Sequence, residues 1–140
     1  MPHRLKWATW ILLACYWLAL SVATHVPSYD HAPSPPDNSD KLGHFVAFAG
    51  LGFLLLWATA AATRRARPAW ALAMAAIYGG LDEWAQRFVP SRVPDVWDFL
   101  ADVRGSLVGV GIGILTLACA QWLWWRRRVA EPAAPPGTSS

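Results

Sequence analysis

Charge is scarce in this chain. Asp, Glu, Lys and Arg make up 15% of its 140 residues, where a soluble domain carries about 25%. The few charges are bunched between apolar runs, ten Trp are present, and more than half of the residues are apolar. That combination excludes a water-soluble globule and points to a membrane protein. Cysteine is nearly absent as well. Cys15 and Cys119 each lie inside an apolar run, in no spacing that suits a metal or a redox pair, and both read as packing residues. The net charge of +3 is confined to the ends of apolar runs, so no nucleic-acid partner is expected. No nucleophile motif is present, and the length allows one domain at most.

What is there is a set of four apolar runs. The first, Trp7 to Val26, follows Arg4 and Lys6 and is long enough to span a ~30 Å hydrocarbon core. It is longer than the apolar part of a usual signal peptide and carries three Trp and a Tyr, so residues 1–26 read as a retained transmembrane helix. Residues 27–39 are Pro-rich and read as an extracytoplasmic loop. The second run, Leu42 to Thr63, follows Ser39 and Asp40, either of which could cap it. Arg64, Arg65, Arg67 and Pro68 separate it from the third run, Ala69 to Phe88. A short turn with Pro90, Arg92, Pro94 and Asp95 leads to the fourth, Asp98 to Trp125, closed by Arg126, Arg127 and Arg128. Residues 40–128 thus form a core of three helices, and residues 129–140 a disordered tail. The three basic clusters flank alternate ends of the runs. Positive residues accumulate on the cytoplasmic side, so the expected fold is all-α: an integral membrane four-helix bundle with both termini cytoplasmic. Trp57, Trp122, Trp124 and Trp125 suit the inner boundary.

The stretch from Gly79 to Arg92 organises the rest. Thirteen uncharged residues, Ala69 to Leu81, end in the acid pair Asp82 and Glu83. Charge at membrane depth is costly and faces a bundle interior or a wet cavity. Three groups then meet in the outer leaflet: Asp40, Lys41 and His44; Asp82, Glu83 and Gln86; and Asp98, Asp102 and Arg104. Asp40 and His44 are four apart and share a helical face. Positions 98, 102, 105, 109 and 113 form one stripe of Asp, Asp, Gly105, Gly109 and Gly113. Small residues at this spacing let helices approach closely, so the packing face is also the face that carries the acids. The cluster sets six acids against Lys41, Arg87, Arg92 and Arg104. Carboxylates crowded in low dielectric must pair with bases, hold protons or share a cation. For His44 the plainest role is a hydrogen bond to Asp40; ligand or proton carrier is the sharper one. Asp82 and Glu83 could simply pair with Arg87, Arg92 or Lys41. Arg92 marks the interface, or binds a phosphate with its forked guanidinium.

Asp40-Lys41-x-x-His44-Phe45, Asp82-Glu83-x-x-Gln86, Pro90-x-Arg92, and Asp98 followed by Gly105 and Gly109 together resemble the VanZ-like family of small membrane proteins. The resemblance covers about Asp40 to Gly113. It implies a place in a bacterial cytoplasmic membrane and a link to resistance against teicoplanin-type glycopeptides. The family usually has Asn four residues after the last Asp, where this chain has Asp102; Arg104 or a bound proton would meet the extra charge. Two functions are carried forward. In the first, a non-enzymatic protein binds an anionic, lipid-linked cell-wall precursor, a phospholipid head group or the glycopeptide itself, with Arg92, Lys41 and Arg104 on the anion and no cofactor. In the second, an intramembrane enzyme acts on a lipid phosphate or diphosphate, with a divalent cation held by His44, Asp82, Glu83 and Asp98. Membrane lipids are partners under both, and the Gly stripe is a candidate contact for a homo-oligomer.

Overall fold

The computed structural model describes residues 3–25, 38–59, 63, 65–90 and 92–130. The loop expected over 27–39 falls almost wholly outside these residues, as do Arg64 and the end of the tail. Four helices follow in chain order: α1 (His3–His25), α2 (Asn38–Ala58), α3 (Arg67–Gln86) and α4 (Val96–Ala130). Helix α2 starts ahead of Ser39 and Asp40, which therefore lie in its first turn. It ends before the expected Thr63, where Thr59 Oγ1 donates to the Leu55 carbonyl at 2.8 Å. Arg67 Nη2 also donates to the carbonyl of Leu56 at 3.3 Å, satisfying one of the acceptors that a helix end leaves open. Helix α4 begins two residues before Asp98 because Asp95 caps it: Asp95 Oδ1 accepts the Trp97 amide at 2.9 Å. Pro68 in the first turn of α3 sits where its missing N–H costs nothing.

The α2–α4 pair is the most extensive contact, and glycine makes it. A Cβ at Gly105 would run into the backbone carbonyl of Phe45, and one at Gly109 into that of Ala49. From the other side, a Cβ at Gly52 would lie 2.6 Å from the carbonyl oxygen of Ser106. The two backbones therefore touch directly, which a bilayer rewards through dispersion contacts. At Gly113 the obstacle is only the side chain of Leu56. The expected stripe is real, and it is consumed within the chain, so it is not free for contact between copies. Phe48, Leu51, Leu55 and Leu56 of α2 pack with Ala71 and Ala75 of α3 and Val110 of α4 in the buried core. Helix α1 docks on α2 where Tyr16 donates to the Ala47 carbonyl at 2.7 Å.

Three helices contain stretches long and apolar enough to cross a membrane: Trp7–His25, Asp40–Ala58 and Val96–Ala130. The chain is thus a multi-pass membrane protein with three candidate spans. Helix α3 falls short of that measure because its length includes two acids, Gln86 and a glycine pair. Its outward face says more: Trp70, Met74, Ile77, Leu81, Trp84 and Phe88 are exposed at helical spacing, while Asp82, Glu83 and Gln86 are buried. That is a soluble helix turned inside out. Helix α4, at 35 residues, is about 50 Å long and outruns a ~30 Å core. Its last turns are exposed, with Arg126 over Trp122 and Arg128 over Trp124.

The glycine contact makes a graded prediction. Gly105→Ala and Gly109→Ala meet backbone that cannot yield and should each cost about 1–3 kcal/mol or more. A Cβ at Gly111 meets nothing within 4 Å, so Gly111→Ala should stay within about 0.5 kcal/mol. Thermal unfolding of the three variants in one detergent checks the order.

Candidate functional site

Because α2 and α4 touch backbone to backbone, side chains one turn above the glycines face each other. His44 Nδ1 lies 2.9 Å from Asp102 Oδ1, and both residues are buried. The acceptor carboxylate places the proton on Nδ1. The partner of His44 is therefore not Asp40, which shares its face but is exposed. Nearer the helix ends, Lys41 Nζ bridges Asp95 at 3.0 Å and Asp98 at 3.2 Å. The Trp97 amide and the Lys41 ammonium hold the Asp95 carboxyl below the usual carboxylate range, since each favours its charged form.

Asp82 is settled differently, by neutral donors. Thr24 Oγ1 donates to its Oδ1 at 3.0 Å, Tyr78 OH to the same oxygen at 3.2 Å, and Gln86 Nε2 to Oδ2 at 3.2 Å. Ser21 Oγ stands 3.0 Å behind the Tyr78 hydroxyl, and His25 Nδ1 lies 3.8 Å from the carboxylate. Thr24, Ser21 and His25 all belong to α1, so this helix is part of the site. Sequence reasoning treated α1 as an anchor and missed them. Tyr78 had a signal, being four residues before Asp82 as Gln86 is four after; the α1 hydroxyls had none, because only packing shows which of them faces α3.

Glu83 has no fixed cation among the described residues. Its Oε2 accepts the backbone N–H of Asp95 at 3.0 Å; its Oε1 is buried without a hydrogen-bond partner, as is Oδ2 of Asp102. The bases expected to neutralise these acids are engaged elsewhere. Lys41 is held by Asp95 and Asp98, and Arg87 lies over the Trp84 ring. Arg92 Nη1 is 3.9 Å from Asp40. Arg104 is exposed and forms no ion pair among the described residues. Of the ten polar residues singled out from sequence, nine therefore contact or lie close to another of the group, while Arg104 is exposed and joins none of their contacts among the described residues. Asp98, Asp102, Asp82, Glu83, Gln86 and His44 are all buried.

Beside this cluster, Leu20, Ala23 and Thr24 of α1 and Asp40, Gly43, His44 and Ala47 of α2 line a cleft of about 370 Å³, with Arg92 at its edge. The guanidinium Nε of Arg92 is buried and without a partner among the described residues. The cleft thus sets one guanidinium among apolar groups and the polar Thr24, Asp40 and His44.

The model of the VanZ/LLP1 family matches residues 5–117. This chain belongs to that family. No curated protein and no solved structure matches it. The VanZ/LLP1 match begins in α1, well ahead of the motifs at Asp40, in keeping with the contacts that Ser21 and Thr24 make with α3. It ends at 117, before the exposed last turns of α4. The acid at 102, where the VanZ pattern led to an expectation of Asn, is met by His44 and not by Arg104.

The Asp82 network supplies a second prediction. Thr24→Val and Tyr78→Phe each remove a donor to a buried carboxylate, and such bonds contribute about 1.5–3 kcal/mol. Each variant should lower the thermal midpoint. The pair should be less than additive, because both serve one oxygen; unfolding curves of the two single variants and the double variant measure this.

Proposed function

We propose that this VanZ/LLP1 protein spans the bacterial cytoplasmic membrane four times, with both termini inside and the polar end of the bundle in the outer leaflet. The basic residues at 65 and 67 and at 126 to 128 lie at the opposite end, which supports that orientation under the preference of Lys and Arg for the cytoplasmic side. The inward acids and outward aromatics of α3 support it as the fourth span. In this reading the cleft between α1 and α2 takes an anionic head group of a lipid-linked or envelope ligand, such as a cell-wall precursor, and the outcome is reduced susceptibility to teicoplanin-type glycopeptides.

The observation that carries the reading is Arg92. Its Nε is buried and has no hydrogen-bond partner among the described residues, its nearest acid, Asp40, is 3.9 Å away, and it lines a cleft together with the apolar Leu20, Ala23 and Ala47 and the polar Thr24, Asp40 and His44. A planar fork with open donors matches phosphate or carboxylate oxygens. A second reading, hydrolysis of a lipid phosphate or diphosphate, is favoured by His44, which lines the same cleft, with Glu83 close behind it and Asp82 bonded to the lining Thr24. Binding is preferred because no nucleophile motif accompanies them.

Arg92→Ala should weaken binding of a long-chain lipid diphosphate to protein in nanodiscs by about tenfold or more, the scale of a lost charge-assisted hydrogen bond. Arg92→Lys keeps the charge without the fork and should recover part of it. Both variants should reach the membrane at normal levels, and Arg92→Ala should restore teicoplanin susceptibility in an expressing host. Full binding and full protection with Ala at 92 would remove the pocket from the function. Chelator-sensitive phosphate release by the purified protein would favour hydrolysis.

A further inference from the structure

Two carboxylate oxygens at the polar end have no partner among the described residues, and both belong to residues more than nine-tenths buried. Glu83 is 8% exposed and Asp102 is 1% exposed; Glu83 Oε1 and Asp102 Oδ2 are the unpartnered atoms. Each carboxylate has one bonded oxygen, Glu83 Oε2 to the Asp95 amide and Asp102 Oδ1 to His44, but leaving the other oxygen of a buried, ionised carboxylate open is costly. No fixed base reaches either residue among the described residues. His44 joins them from the third side: His44, Glu83 and Asp102 each offer one ligating atom, and these lie within 4.8 Å of one another. The three donors come from α2, α3 and α4, so a single bound ion would tie three helices.

We propose that His44, Glu83 and Asp102 form a divalent-cation site at the polar end of the bundle. One imidazole nitrogen and two carboxylates suit a borderline or hard dication such as Zn²⁺ or Mn²⁺. The charges balance, since two carboxylates and a neutral imidazole carry −2. The competing arrangement, a proton shared by the two acids, requires a short hydrogen bond between them, and neither free oxygen makes one. The site does not depend on an anion occupying the neighbouring cleft, and it departs from the expectation of a protein without a cofactor.

The test is titration of purified full-length protein in detergent with Mn²⁺, followed by the loss of the free-ion electron paramagnetic resonance signal. The expected result is one ion per chain, displaced by Zn²⁺, together with a higher thermal midpoint for the wild-type protein when Mn²⁺ is present. Glu83→Gln and Asp102→Asn should each weaken binding by about tenfold or more, with helicity and elution volume retained. Arg92→Ala should bind Mn²⁺ as the wild type does, so that loss of the head-group reading and loss of the cation site are told apart. The wild-type titration and thermal shift need no variant to fold. Absence of binding by the wild type, or binding that survives both substitutions and therefore belongs to exposed carboxylates, overturns the site.

Discussion

Everything at the polar end depends on how closely α2 and α4 approach. Gly105 and Gly109 leave no atom between the α4 backbone and the carbonyls of Phe45 and Ala49, and Gly52 does the same in reverse against Ser106. A bilayer gives no hydrophobic drive for helices to associate, so contact of this kind has to come from dispersion and polar pairing. Once the two helices lock, the residues one turn above are no longer free to choose. His44 and Asp102 must meet, and Asp98 comes within reach of Lys41. The same small-residue stripe that holds the bundle together is what brings charge into its interior.

The bundle meets that charge in three ways. At the rim, where water is near, Lys41 bridges two acids and Asp95 doubles as the cap of α4. Deeper, Asp82 is surrounded by hydroxyl and amide donors from α1 and α3, which stabilise an anion without a counter-charge. Between these, Glu83 and Asp102 each keep one buried oxygen without a partner among the described residues. A satisfied network rigidifies a core, whereas open valences at low dielectric are costly, and that imbalance is where binding chemistry belongs. The arrangement also explains why α1 matters: without Thr24, Asp82 would lose a donor and α1 one of its polar ties to α3.

Much of this was legible in the sequence. The four runs, the glycine stripe and the convergence of Asp40, Lys41, His44, Asp82, Glu83, Gln86, Arg92, Asp98 and Asp102 follow from helical spacing and from the cost of charge in lipid. Pairings were less legible. Spacing placed His44 beside Asp40 on one helix face, but a contact across two helices that touch backbone to backbone decided for Asp102. Glu83 was assigned a base and received an amide, since the turn before α4 brings the N–H of Asp95 to it. Arg104 was placed with the acids because it follows Asp102 by two residues, yet two residues is half a turn and points it away. The hydroxyls of α1 were beyond reach, because the rotation of a uniformly apolar helix is set by packing alone.

The central claim is that the α2–α4 crossing couples His44 to Asp102 across the bundle. A double-mutant cycle of His44→Ala and Asp102→Asn, read by reversible unfolding in one detergent, tests it most directly. The expected coupling is about 1–3 kcal/mol, the range for contacting residues that share a network. Strict additivity would contradict the account.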